Sequence, residues 1–201
     1  MSYISRYLRS KGQPCTIPRY KSLLIKGVIT DAPMSYVSIR KATKSIRDLA
    51  ARGSYVEGLI LADSELAPGE VFVLRGEKYL VQNVRYDPAS DELHFFATIA
   101  NTTLQHKRLI EDVDEWGNMI KTWEILNVDV PAFGEIITAT MRQTDPGLLS
   151  NTRYLFQMPI TVGIEEDDRV VHNYSSYQVV SVDDLMTPGI VRIQAAVDLR
   201  E

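Results

Sequence analysis

The fold class this sequence predicts is mainly β: two small β-barrel or sandwich modules, duplicates of one another, with a short N-terminal helix and a protruding β-hairpin. Three observations predict it. From Leu23 onward short apolar or alternating runs recur between turn signals, as in small sandwiches and barrels. The chain has 201 residues, with 45% apolar and 24% charged side chains, near the globular average and enough for two small domains. Finally, the sequence repeats itself at an offset of 98 residues, without a gap, across both three-strand segments.

The elements follow in order. Residues 1–12 read as a short amphipathic helix, with Ser2 as candidate N-cap and Gly12 as candidate C′ residue. Tyr3/Tyr7 and Ile4/Leu8 are i, i+4 pairs on one face, and Arg6 and Arg9 fall on the other. A helix of this length is marginal alone, so it must dock on something. Strands are expected at Tyr36–Lys41, Tyr55–Ala62, Glu70–Leu74, Lys78–Val84 and Leu93–Ala100. Lys44–Ala51 is open between a loop and one or two helical turns. Residues 108–126 form a hairpin about a Gly117-Asn118 turn, with an acidic tip. Further strands are expected at Glu135–Met141, Arg153–Met158, Arg169–Val171, Tyr177–Val182 and Ile190–Leu199. The expected organisation is residues 1–107 as helix and first β module, 108–130 as arm or linker, and 131–201 as second β module.

In the repeat, Glu70 meets Asp168, Phe72 and Val73 meet Val170 and Val171, and Tyr79 meets Tyr177. Val81 and Val84 meet Val179 and Val182. Leu93, Phe95, Ala97 and Ile99 then meet Val191, Ile193, Ala195 and Val197, the every-second-residue spacing of one buried strand face.

The formal net charge of −4 hides a separation. Residues 1–52 hold eleven Lys/Arg against two Asp, and the rest holds eleven against 24 Asp/Glu. Such a split suggests a nucleic-acid surface, an acidic partner, or a head-to-tail ring that satisfies it internally. No apolar run reaches the length of a membrane helix, and the charged N-terminus lacks the apolar stretch of a signal peptide. The single cysteine, Cys15, has no internal disulfide partner, and a buried or half-buried thiol is its expected state.

Catalytic signatures are missing. No phosphate-binding glycine loop, no HExxH and no GxSxG stands in the sequence. His94, His106 and His172 are scattered, and His94 should point to solvent from its strand. The Asp112–Gly117 run has Trp116 and Trp123 where a calcium loop needs oxygen ligands. The Glu165–Asp168 run reads as a solvated loop. No catalytic, cofactor or metal residue is therefore assigned, and an enzyme is not expected. The candidate interaction residues are Arg6, Arg9, Arg40, Lys41, Lys44 and Arg47, with Trp116 and Trp123 on the hairpin. The tyrosines interleaved with the basic residues would suit stacking on nucleic acid.

Residues 6–17 (RYLRSKGQPCTI), 69–87 (GEVFVLRGEKYLVQNVRYD) and 177–201 (YQVVSVDDLMTPGIVRIQAAVDLRE) resemble head-closure and head–tail connector proteins of tailed bacteriophages. In that family a small β-barrel carries an acidic residue and apolar strand, a short turn, then Tyr-x-Val-x-x-Val. The pattern stands here at Glu70–Val84 and again at Asp168–Val182. This chain is longer than a single closure barrel, which leaves closure, adaptor and tail-completion roles open. The resemblance implies a structural virion protein, made in the host cytoplasm and placed in the neck. It implies a homo-oligomeric ring between a portal or adaptor protein and a tail protein, with DNA passing through its channel and no membrane. The alternative is a β-domain that binds nucleic acid through its basic N-terminal third.

Overall fold

A computed structural model describes residues 3–22, 25–31, 34–41 and 54–200, with side chains described outside 20–33. It contains helix α1 (Tyr3–Lys11) and strands β1 (Gln13–Thr16), β2 (Arg19–Ser22), β3 (Ile25–Asp31), β4 (Met34–Lys41), β5 (Tyr55–Leu61), β6 (Val71–Leu74), β7 (Glu77–Asp87) and β8 (Glu92–Ile99). There follow β9 (Thr102–Val113), β10 (Met119–Ile136), helix α2 (Ala139–Thr144), β11 (Thr152–Pro159), β12 (Arg169–His172), β13 (Ser175–Asp183) and β14 (Ile190–Val197).

Two six-stranded antiparallel sheets close on themselves, in the orders β1-β4-β5-β8-β7-β6 and β9-β10-β11-β14-β13-β12. Strand for strand the two orders are the same. The first closes through a single registered pair, Thr16 with Val73. Closure removes the free edges that invite aggregation. Each barrel is filled by one face of its strands. Phe72, Tyr79, Val81 and Phe95 lie in the first core, and Phe156, Val170, Val179 and Ile193 in the second.

The repeat extends to register and backbone. Phe95 pairs with Gly58 and Val84, and Ile193 pairs with Phe156 and Val182. Tyr79 faces Phe72 and Ile99, and Tyr177 faces Val170 and Val197. The bulge after Val81 recurs after Val179. Left-handed residues recur at the same offset: Glu65 with Gly163, Gly69 with Asp167, Arg75 and Gly76 with Asn173 and Tyr174, and Asp91 with Gly189. Between its first and second barrel strands each module inserts a β-hairpin. It is β2–β3 in the first and the outer parts of β9 and β10 in the second.

The barrels meet through different faces. Val71 and Leu80 point out of the first barrel and pack on Ile190 of the second. Burying such side chains contributes roughly 1.5–3 kcal/mol each. The Gln82 amide donates to Gln157 Oε1 at 3.1 Å, and the Tyr55 ring lies 5.7 Å from Phe133. In the other copy the positions of Val71 and Leu80 are Arg169 and Gln178, and that of Ile190 is Glu92. At this seam Gly69 and Gly189 touch through their backbones, and a Cβ on Gly69 would stand 2.0 Å from the Gly189 carbonyl oxygen. Their duplicates, Asp167 and Asp91, adopt the same left-handed conformation with side chains. Close approach, more than φ, therefore demands glycine here.

Several expectations are corrected. Residues 108–130 are no linker, because β9 and β10 both belong to the second barrel, which begins at Thr102. Pro131 is part of that barrel's wall, in β10 opposite Thr103. The strand expected to reach Met141 ends at Ile136, where Thr138 caps α2 by accepting from the Met141 N–H. In α1 the docked face is Ser5 and Leu8, with Ile4 half-buried, whereas Tyr3 and Tyr7 are exposed. Gly12 follows α1 without a left-handed φ; a Cβ there would collide with the Leu8 carbonyl. Ser2 and Lys44–Ala51 lie outside the described residues.

Candidate interaction surface

Among the described residues, three arginines of the basic first quarter have acidic partners from the rest of the chain. Arg9 pairs with Asp63 at 2.7 Å, Arg19 with Glu70 at 2.9 Å and Arg40 with Glu57 at 2.9 Å. Each pair joins the basic first quarter to the acidic remainder, so the first barrel neutralises part of the split itself. Among the candidate residues, Arg6 is exposed on α1 and Lys41 is exposed at the end of β4. Lys44 and Arg47 lie outside the described residues, so no cluster with Arg40 and Lys41 is described.

The base of each arm carries an arginine clamp. In the first barrel, Arg19 Nε donates to Glu70 Oε1, and its Nη2 donates to the Ser64 and Glu65 carbonyls. In the second, Arg108 Nε and Nη2 donate to Asp168 at 2.8 and 2.7 Å, and Nη2 also donates to the Gly163 carbonyl. The Glu70 carboxylate accepts from the Ala67 N–H, and that of Asp168 from the Glu165 N–H. Arg19 and Arg108 differ by 89 residues, the offset also of Thr16 and Gln105, which face the equivalent Val73 and Val171. A second repeat interval was therefore present in the sequence, displaced by the unequal arms.

The second clamp has a buried extension. His106, 1% exposed, replaces the buried Ile17 of the first barrel. Its Nδ1 accepts from the Asn127 amide, so Nε2–H donates to Asp168 at 2.7 Å. Burial raises the Asp168 pKa, but hydrogen bonds from Arg108, His106 and the Glu165 N–H outweigh it, leaving the carboxyl at about 2. In the Glu165–Asp168 run Glu165, Glu166 and Asp167 are exposed, as a solvated loop predicts, and Asp168 alone is withdrawn into the clamp. Glu165 pairs with Arg108 at 2.9 Å, and Asp168 is 3% exposed.

Higher on the arm, Trp123 lies half-buried on the outer wall of the second barrel. The Arg169 guanidinium sits 3.7 Å from its ring centroid and that of Arg200 5.0 Å. Both arginines are fixed by Asp198, whose side chain is fully buried. Burial raises the Asp198 pKa, and donors from Arg200 and Arg169 bring it down to about 2. Trp123 thus finds its partner in its own module. Trp116 does not: at the arm tip it is 86% exposed. The tip is a hydrogen-bonded turn, in which the Asp114 carboxylate accepts from the Trp116 and Asn118 N–H groups and Gly117 supplies a left-handed φ. Val113, Met119, Ile120 and Ile125 are also exposed along the arm, on both of its faces.

Elsewhere the chemistry is quiet. Cys15 is buried, and burial pushes its thiol up to about 11, slightly opposed by a backbone contact with Ser35. His94 is half exposed, as its strand position predicts. A hollow of about 230 Å³ beside the arm base, lined by Ile160, Ile164, Val182 and Val191, is below the size of ordinary small-molecule sites.

No family model and no curated protein sequence matches the chain. Among solved structures, apo MrkH of K. pneumonia aligns over 98% of this chain and 83% of its own, at 9% identity and a TM-score of 0.18. A superposition that loose carries no argument about fold or function.

Proposed function

We propose that the protein is a structural component of a tailed-bacteriophage neck. In this reading it forms a homo-oligomeric ring that joins a portal or adaptor protein on the head side to a tail protein, and it lines or closes the DNA channel. The observation that carries the reading is the repeated barrel-and-arm unit. Two closed barrels without free edges present arms from the same end, and the second arm holds apolar side chains out to solvent. Such an arm is marginal by itself and gains stability by burial against a neighbour. The seam between the barrels is already a contact between unlike faces of like units, the geometry that closes into rings when repeated. The sequence resemblance to head-closure and connector proteins agrees.

Mass photometry of the purified full chain tests the reading. The expected result is a discrete multimer, converted to monomer when a two-residue Asn-Gly turn replaces residues 112–120. Both barrels should keep their cooperative unfolding in that variant. A monomer at every concentration, or an unchanged multimer without the arm tip, contradicts the role given to the arm. The alternative nucleic-acid reading expects steeply salt-dependent binding of DNA by the monomer.

A further inference from the structure

We propose that the arm tip of one copy docks on the outward stripe of α1 of a second copy; this rests on the ring reading above and names its contact. In α1 the residues Tyr3, Arg6, Tyr7, Ser10 and Lys11 are all exposed and fall at i, i+3, i+4, i+7 and i+8, a single stripe along the helix. An outward stripe is ordinarily charged and polar, yet here it holds two tyrosines, 83% and 50% exposed. The helix contains no acidic residue, and Arg6 and Lys11 have no ion pair among the described residues. The arm tip is its counterpart in charge. Asp112, Asp114 and Glu115 stand around Trp116 and Met119, with no basic residue between Glu111 and Asn118.

Placement agrees with chemistry. Strand β5 runs parallel to β1, so its end lies where the first arm leaves its barrel, and Arg9 ties α1 to Asp63 just beyond that end. Gly69 and Gly189, at the arm-side ends of β6 and β14, are in contact, so both arms leave from the same side of the molecule. The α1 stripe and the arm tip are different surfaces, and in the ring proposed above their union is head-to-tail and repeats from copy to copy. The opposite charges fix the pairing, and the aromatic side chains supply the buried area. The partner is thus a second copy of this chain and not a nucleic acid, which the acidic tip would repel.

Charge reversal tests this, because all the altered residues are exposed. Arg6→Glu with Lys11→Glu makes both patches acidic, and Asp112→Lys with Glu115→Lys makes both basic. Mass photometry should show each variant assembling at least about tenfold more weakly than the parent. An equimolar mixture of the two should assemble again, because each arm then meets an opposite stripe on the other variant. Thermal melts check that both variants are folded. A parent chain that stays monomeric overturns the ring reading and this contact together. A parent that assembles while both variants assemble equally well overturns this contact alone. The contact is equally overturned if the α1 variant keeps its assembly and loses only binding to a labelled oligonucleotide.

Discussion

Gly69 and Gly76 have the same φ of +84°, and only one of them has a neighbour. A Cβ on Gly76 meets nothing within 4 Å, so Gly76→Ala pays only backbone strain, about 1–2 kcal/mol. Gly69→Ala adds a collision with the Gly189 backbone and must part the two barrels, so urea denaturation should show a loss above about 3 kcal/mol. Equal losses would mean that the seam is soft. Asp168 offers a second residue-scale test. Its folded pKa of about 2 lies below the ordinary 3.8, so its stabilisation is complete above the unfolded value and is lost as pH falls from about 4 to about 2. The share lost is about 2 kcal/mol. Asp168→Asn should lower stability at pH 7 and flatten that acid limb, leaving the share that belongs to Asp198. An unchanged acid limb in the variant would show that the clamp is not the source.

The arm is the element to which the proposed function assigns assembly, and the Trp123 stack ties it to the wall of its own barrel. Trp123→Ala removes the ring held by Arg169 and Arg200, a contact of about 1–2 kcal/mol. Hydrogen exchange in residues 109–125 should then speed up about tenfold, with β14 unchanged. Exchange that stays slow in the arm would show that its strand pairing alone holds it upright. The elements legible in the sequence were those with alternation and shared turns, above all β6–β8 and β12–β14, where the core face repeats at one fixed interval. The first two strands of each barrel were hidden because arms of unequal length sit between them, and the interval drops to 89 at the first strand and 95 at the second. Trp123 is an interaction candidate open to a partner in the assembly or in the module beneath, and sequence alone does not choose because Arg169 and Arg200 stand far along the chain. His106 was unreadable for a similar reason: Asn127 and Asp168 meet it only in the closed barrel.

At the scale of the molecule, three arginines of the basic first quarter, Arg9, Arg19 and Arg40, pair with acidic residues from the rest of the chain. Antiparallel strands bring the basic first quarter against acidic residues of the same barrel, leaving the α1 stripe as its exposed described helical part. The two halves are alike in register, whereas Val71 and Leu80, apolar at the seam, stand where the other copy has Arg169 and Gln178. The measurement that reaches the central claim most directly is a cryo-electron reconstruction of the neck of tailed particles whose genome encodes this chain. The account predicts a ring of double barrels around the DNA channel at the head–tail junction, with each arm tip resting on α1 of the next copy. Particles complete in head and tail but lacking this chain at the junction would contradict it.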